Sequence, residues 1–165
     1  KNADYWDDSR GHYDAVEIVV INDATARTSA LQSGQVDCIN RIDPKVAKLL
    51  ARSPGVVVSN VSGRGHYVFI MHTDTAPFDN KDLRLALKYS INRQEMVDKI
   101  LNGYGGLGND TPINAAYPLF TPIEQREYDA AKAAEHYKAS GHDGSPIELI
   151  VADHATQGRA DRVGV

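Results

Sequence analysis

Cysteine occurs once in these 165 residues, tryptophan once and methionine twice. The lone Cys38 excludes an internal disulfide, which fits a reducing compartment and a disulfide-free exported protein equally well. No apolar stretch is long enough to span a bilayer. No Lys/Arg run marks an anionic membrane surface, and a formal net charge of −4 offers no footprint for nucleic acid. Internal repeats and low-complexity segments are absent too. What is present, 42% hydrophobic and 24% charged residues, is the composition of an ordinary globular protein long enough to bury a sizeable core.

The most organised stretch is residues 76–101, APFDNKDLRLALKYSINRQEMVDKIL. It reads as two helices in tandem with almost no linker, entered through a Pro-Phe-Asp turn. Leu83, Ala86, Leu87, Ser90 and Ile91 recur at a spacing of three and four, which places them on one face. Asp79 or Asn80 supplies the cap, because a short oxygen-bearing side chain accepts from an otherwise unpaired backbone N–H. Asn92 and Glu95 form a capping-box variant ahead of a second stripe, Met96, Val97, Ile100 and Leu101. Gly103 offers a left-handed stop after Asn102.

Elsewhere helices alternate with strand candidates, so the predicted class is α/β. Residues 15–21, AVEIVVI, are apolar on both faces and predict a buried strand. Asp23 caps a helix through Gln32, closed by Gly34. Residues 35–39 predict a short strand and 44–51 a short helix with Pro44 in its first turn. Residues 56–61 and 66–73 predict two further strands. A loop rich in Gly, Asn and Pro fills 103–122, a length that is usually functional or poorly ordered. Residues 129–140 predict a third long helix ended by Gly141, residues 147–151 a last strand, and the closing RADRVGV the opening of another helix.

Several motifs fail on context. Residues 103–108, GYGGLG, match G-x-G-x-x-G by letter, but a helix precedes them and a proline-bearing loop follows, the reverse of a dinucleotide site. His66 and His72 share one side of a strand yet lie about 20 Å apart along it, too far for one ion. His72 and Asp74 are two ligands, not a site, and His136, His142 and His154 lack metal spacing. No G-x-S-x-G elbow is present, and Cys38, on a predicted strand, reads as a buried inert thiol. Acidic residues form no readable catalytic pair, so no metal, cofactor or enzyme is predicted. Asn109, Asp110 and Thr111 either bond the backbone of their own turn or face a polar ligand, where a carboxylate would suit an amino group. Asn40 and Arg41, on the turn after the 35–39 strand, are either solvated surface or part of a site.

Four segments, in order, resemble one family. Asn2 to Trp6, NADYW, is similar to its N-P-D-Y-W, and residues 23–37, DATARTSALQSGQVD, to its D-x-x-x-R-x-x-A-L-x-S-G-E-V-D. Pro77, Phe78, Asp79, Asn80, Leu83, Arg84, Ala86, Leu87, Ile91, Asn92 and Arg93 follow its P-F-D-D-x-x-V-R-x-A-L-x-x-A-I-D-R. Residues 128–141, YDAAKAAEHYKASG, follow its Y-D-P-x-K-A-x-x-L-L-x-x-A-G. Departures are Ala for Pro at Ala3 and Ala130, Leu83 for Val, and Asn for Asp at Asn80 and Asn92. The family is the family 5 extracellular solute-binding proteins, the dipeptide- and oligopeptide-binding components of bacterial ABC importers.

The resemblance implies a periplasmic-binding-protein-like (type II) fold, two-lobed, with only part of each lobe present: 1–65 in the first lobe, 66–76 at the interlobe crossing, 77–165 in the second. It implies extracytoplasmic capture of a solute, di- or oligopeptides above all, and delivery to a membrane permease of an ABC transporter, without nucleic acid or cofactor. The location is the periplasm or the cell exterior, with or without a lipid anchor, the signal peptide lying outside these residues. Such a central fragment is expected to bind no ligand tightly alone. The ligand-binding candidates are Asn40 and Arg41, which the resemblance sets beside the cleft, Met71 and His72, where the family has an Asn after an aromatic or aliphatic residue, and Asn109 and Asp110. The competing readings are a hydrolase or transferase with an unrecognised site, and a sensor or chaperone on the same fold.

Overall fold

The computed structural model describes all residues except 1, 3, 8, 62, 153–159 and 165. It divides into two compact units, Lys1–Ile42 and Asp43–Val165. In the first, α1 (Ala24–Gln32) starts at Asp23, whose carboxylate accepts from the Ala26 N–H at 2.7 Å. Beyond the helix, Gly34 takes a left-handed φ of 73°, a conformation that costs a side-chain-bearing residue but not glycine. The N–H groups of Gln35 and Val36 then return to the Ala30 carbonyl, and among the described residues Ala30 is the buried one of this unit.

In the second unit, α2 (Pro44–Leu50) is capped by Asp43 and buries Ala47 and Leu50. The chain enters α3 (Lys81–Ser90) through a turn at the cis Ala76–Pro77 peptide. Of the two cap candidates it is Asn80 that serves, accepting from Asp82 N and Leu83 N at 2.9 and 3.1 Å. α5 (Ala130–Ser140), capped by Asp129 and closed by Gly141, packs antiparallel along α3. Leu83, 1% exposed, and Ala86 seal that contact. Burying one leucine side chain is worth about 2 kcal/mol. Two strands, β1 (Glu148–Ala152) and β2 (Ala160–Gly164), pair antiparallel with Glu148 opposite Gly164 and Ala152 opposite Ala160. β2 corrects the helix expected at the C-terminal end: the backbone there is satisfied by β1 across the pair rather than along itself.

The second tandem helix also differs from expectation. Only α4 (Arg93–Glu95) is α-helical, and Met96–Ile100 continues as a π-helix, with Leu101 N reaching back to Met96 O. Asn92 caps as predicted, accepting from Glu95 N at 3.1 Å. The reciprocal half of the capping box is missing, because the Glu95 carboxylate turns forward to Lys99. Beyond the helix end at Ile100, Asn102 and Gly103 both adopt positive φ.

The larger correction concerns strands. Residues 15–21, 35–39, 56–61 and 66–73 form no strand among the described residues, and the sheet is the single β1–β2 pair. A strand exists only through a ladder partner, and none is offered to these segments. They are instead largely exposed: Ile18 is 86% accessible, Val57 90% and Tyr67 91%. Cys38 is likewise exposed rather than buried.

Candidate functional site

The polar centre of the second unit is built on α3. Its register sends Asp82 and Tyr89 toward α5, where Asp82 Oδ1 meets His136 Nδ1 at 2.8 Å and the Tyr89 ring stacks on the His136 imidazole at 5.7 Å. The Arg126 guanidinium lies over the Tyr89 ring, 4.6 Å from its centroid, with the Lys132 ammonium at 5.4 Å. Such cation–π contacts add attraction beyond area burial. From Tyr89 the network continues through Arg126 to Asp110.

Asp110 is the hub. Its Oδ1 accepts from Arg93 Nη2 at 2.9 Å, and its Oδ2 accepts from Arg126 Nε at 2.5 Å and faces Lys88 Nζ at 3.4 Å. Arg93 Nη1 also donates to the Arg126 carbonyl at 3.2 Å, which ties the two cations to each other through the backbone. Burial pushes the Asp110 carboxyl up, but the Arg126 hydrogen bond and the charges of Lys88 and Arg126 outweigh it and hold the group below the usual carboxylate range. The same bond raises Arg126. Three cations on one carboxylate leave it committed inside the protein.

Asn109 completes the clasp. Its Nδ2 donates to the Glu124 carbonyl at 2.9 Å, and its Oδ1 accepts from the N–H of Asp110 and of Arg126. Gln125 Nε2 returns a bond to the Gly108 carbonyl. Residues 108–110 and 123–126 are thus sewn together: Asn109 bonds its own turn and a second segment as well. Further along, Asn114 Nδ2 donates to the Gly63 carbonyl and Tyr117 stacks under Arg64.

Among the described residues no hydrogen bond joins Met71 or His72 to this clasp. Met71 is half-buried and His72 exposed, the His72 carbonyl accepting from Thr75 N in a turn. In the first unit, Asn40 and Arg41 are exposed; Arg41 takes a φ of 52°, and its carbonyl accepts from Arg27 Nη2 at 3.3 Å. No three His, Cys, Asp or Glu side chains converge on a metal position among the described residues, and His154 lies outside them. Sequence reading missed Lys88, Tyr89, Arg126 and His136. The available signal was charge placement: Lys88 and Arg93 flank a helix boundary and need a partner that only a distant acid provides.

Compared with known proteins, residues 1–163 match the model of the bacterial extracellular solute-binding proteins, family 5 Middle. The chain belongs to this family. Family 5 membership implies the periplasmic-binding-protein-like (type II) fold class. Di/tripeptide-binding protein 1 of Pseudomonas aeruginosa is 27% identical over 151 residues, 90% of this chain and 28% of its own length. Glutathione-binding protein GsiB of Salmonella typhimurium is 31% identical over 147 residues, 86% of this chain and 28% of its own. Heme-binding protein A of Haemophilus influenzae is 28% identical over 143 residues, 86% of this chain and 26% of its own. The chain therefore spans little more than a quarter of these relatives. No solved structure matches it. Among the described residues no helix is long and apolar enough to cross a membrane.

Proposed function

We propose that this family 5 chain is part of an extracytoplasmic protein that captures a small solute for an ABC importer and hands it to a membrane permease. The observation that carries the reading is the family match over residues 1–163. The solute class is short peptides. Two relatives are named for di/tripeptides and for glutathione, itself a tripeptide, and one for heme. Capture is by closure of two lobes, with residues 1–65 contributing to the first, 66–76 to the crossing and 77–165 to the second. The role is binding rather than catalysis, in the periplasm or outside the cell.

Within this reading Asn40, Arg41, Met71 and His72 line the solute cleft. Asn109 and Asp110 serve it by fixing the course of their loop, since the Asp110 carboxylate is taken up by Lys88, Arg93 and Arg126. Selectivity then rests on a few oriented polar groups in a pre-shaped cavity. The test is native mass spectrometry of the natural polypeptide purified without denaturation, followed by calorimetry with di- and tripeptide mixtures. Co-purifying short peptide and saturable binding are expected. Heme as the sole bound species, or turnover of the added peptides, overturns the peptide-capture reading.

A further inference from the structure

Two glycines follow residues that can cyclise onto them, Gly103 after Asn102 and Gly144 after Asp143. The side-chain carbonyl carbon of Asn or Asp is open to attack by the next residue's backbone nitrogen, most readily before glycine, where no Cβ obstructs the approach. The attacking nitrogen must lose its proton, so the partner of that N–H decides the outcome. Gly103 N donates to the Val97 carbonyl at 2.9 Å. A carbonyl takes up no proton at neutral pH, and the bond ties the nitrogen into the helix end. Gly144 N instead donates to His142 Nδ1 at 3.1 Å. An N–H donates only to a ring nitrogen without a proton, so Nδ1 presents its lone pair to that amide. Tyr137 steadies the imidazole, with its ring centroid 5.9 Å away and its hydroxyl 3.4 Å from the same Nδ1. Asp143 and Gly144 are both exposed, and Asp143 Oδ1 accepts from Ser145 N at 2.9 Å, which curls the carboxyl along the Gly144 backbone. Hydrogen bonds from the Ser145 side chain and backbone also hold this carboxyl below the usual carboxylate range. The uncharged acid that loses water is therefore scarce at neutral pH, and the reaction is slow.

We propose that Asp143 is a site of spontaneous isomerisation to isoaspartate, with His142 as the base that draws the proton from Gly144 N, and that Asn102 is protected despite its more reactive sequence. In the first step a bond forms between Gly144 N and Asp143 Cγ, the Cγ–OH bond breaks, and the hydroxyl leaves as water with the proton passed through His142. The five-membered imide then takes up one water at either carbonyl. Opening at the backbone carbonyl of Asp143 leaves the chain running through its side chain. No atom is gained or lost overall, but the main chain between α5 and β1 becomes one carbon longer. The inference is independent of the solute.

Peptide mapping with electron-transfer fragmentation, which separates isoaspartate from aspartate, tests this on the natural polypeptide after prolonged incubation at neutral pH, folded and in urea. In the folded protein isoaspartate is expected to accumulate at Asp143 faster than Asn102 loses ammonia, and in urea the order is expected to reverse. His142→Phe keeps a ring without an acceptor. It is expected to slow the folded reaction about 10-fold, short of the ~10²–10⁴ supplied by a positioned enzymic base, and to leave the rate in urea unchanged. Faster loss of ammonia at Asn102 than isomerisation at Asp143 in the folded protein overturns the proposal. So does an Asp143 rate no higher in the folded parent than in urea, which assigns the reaction to sequence alone, or a folded rate unchanged by His142→Phe. The comparison of folded and urea-treated parent decides the matter even where the variant fails to fold.

Discussion

The side-chain amide of Asn80 donates to the carbonyl of Ser140 at 2.9 Å, while its oxygen caps α3. One residue thus closes the start of one helix and the end of another, where orphan N–H and C=O groups of opposite polarity meet. The family pattern has Asp at this position, and an aspartate can do only the first of the two tasks. Asn80 is a departure with a structural use.

Asn80→Asp is therefore expected to keep the cap and lose the bond to Ser140, placing a carboxylate against a carbonyl. The cost should be about 1 kcal/mol. Asn80→Ala loses both functions and should cost about 2 kcal/mol. Urea unfolding of the three proteins checks the order; an Asp variant as stable as the parent shows that the Ser140 bond contributes nothing.

Asp110 gives the second test. Its carboxyl is held below the usual range in the folded protein, hence below its unfolded value of about 3.9. A depressed acid stabilises the fold in full above the unfolded value and loses that contribution as pH falls through the folded one. Asp110→Asn should cost about 2 kcal/mol at pH 7, between the values for exposed and buried ion pairs. The gap between parent and variant should narrow as pH falls below about 4. A gap that stays constant with pH removes the charge from the explanation and leaves only shape.

Arg27 and Arg84 occupy the same place in their helices, four residues after the capping Asp23 and Asn80. Arg27 Nη1 donates to the Ile21 and Asn22 carbonyls at 2.7 and 3.2 Å, and Arg84 Nη1 to those of Phe78 and Asp79 at 2.6 and 3.1 Å. Each guanidinium fastens the incoming chain to its helix. Arg84→Lys keeps the charge but loses the planar fork, so a loss of about 1 kcal/mol is expected in thermal or urea unfolding. An unchanged midpoint would show that charge alone holds the turn.

What was legible in the sequence follows the range of the forces involved. Asp23 and Asn92 were readable as caps because a cap bonds an N–H group three residues away, whereas Asp43 and Asp129 cap their helices without having been singled out. The α3 core positions Leu83 and Ala86 were readable because helical period is local. The strands at 15–21, 56–61 and 66–73 were read from composition, yet a ladder is made by a partner, and none stands beside them. The Asp110 hub was half legible: loop and acid stood out, but Lys88, Arg93 and Arg126 join it only through the folded path of α3 and the 123–126 segment. The π-helix had no local signature, since Met96–Ile100 carries ordinary helix formers.

Gly141 isolates one backbone term from all packing. It ends α5 at a φ of 68° with its N–H on the Lys138 carbonyl at 3.3 Å, and a Cβ built on it meets no atom within 4 Å. Substitution there encounters open space, so any cost comes from the left-handed conformation. Gly141→Ala is expected to lose about 1 kcal/mol, and Gly141→Asn less, because asparagine tolerates this region better. Urea unfolding that ranks Gly above Asn above Ala supports this account. Equal stability of all three would mean that the α5 terminus refolds around the substitution, and the Asn80–Ser140 bond next to it would then be the contact to re-examine by Asn80→Asp in the same background.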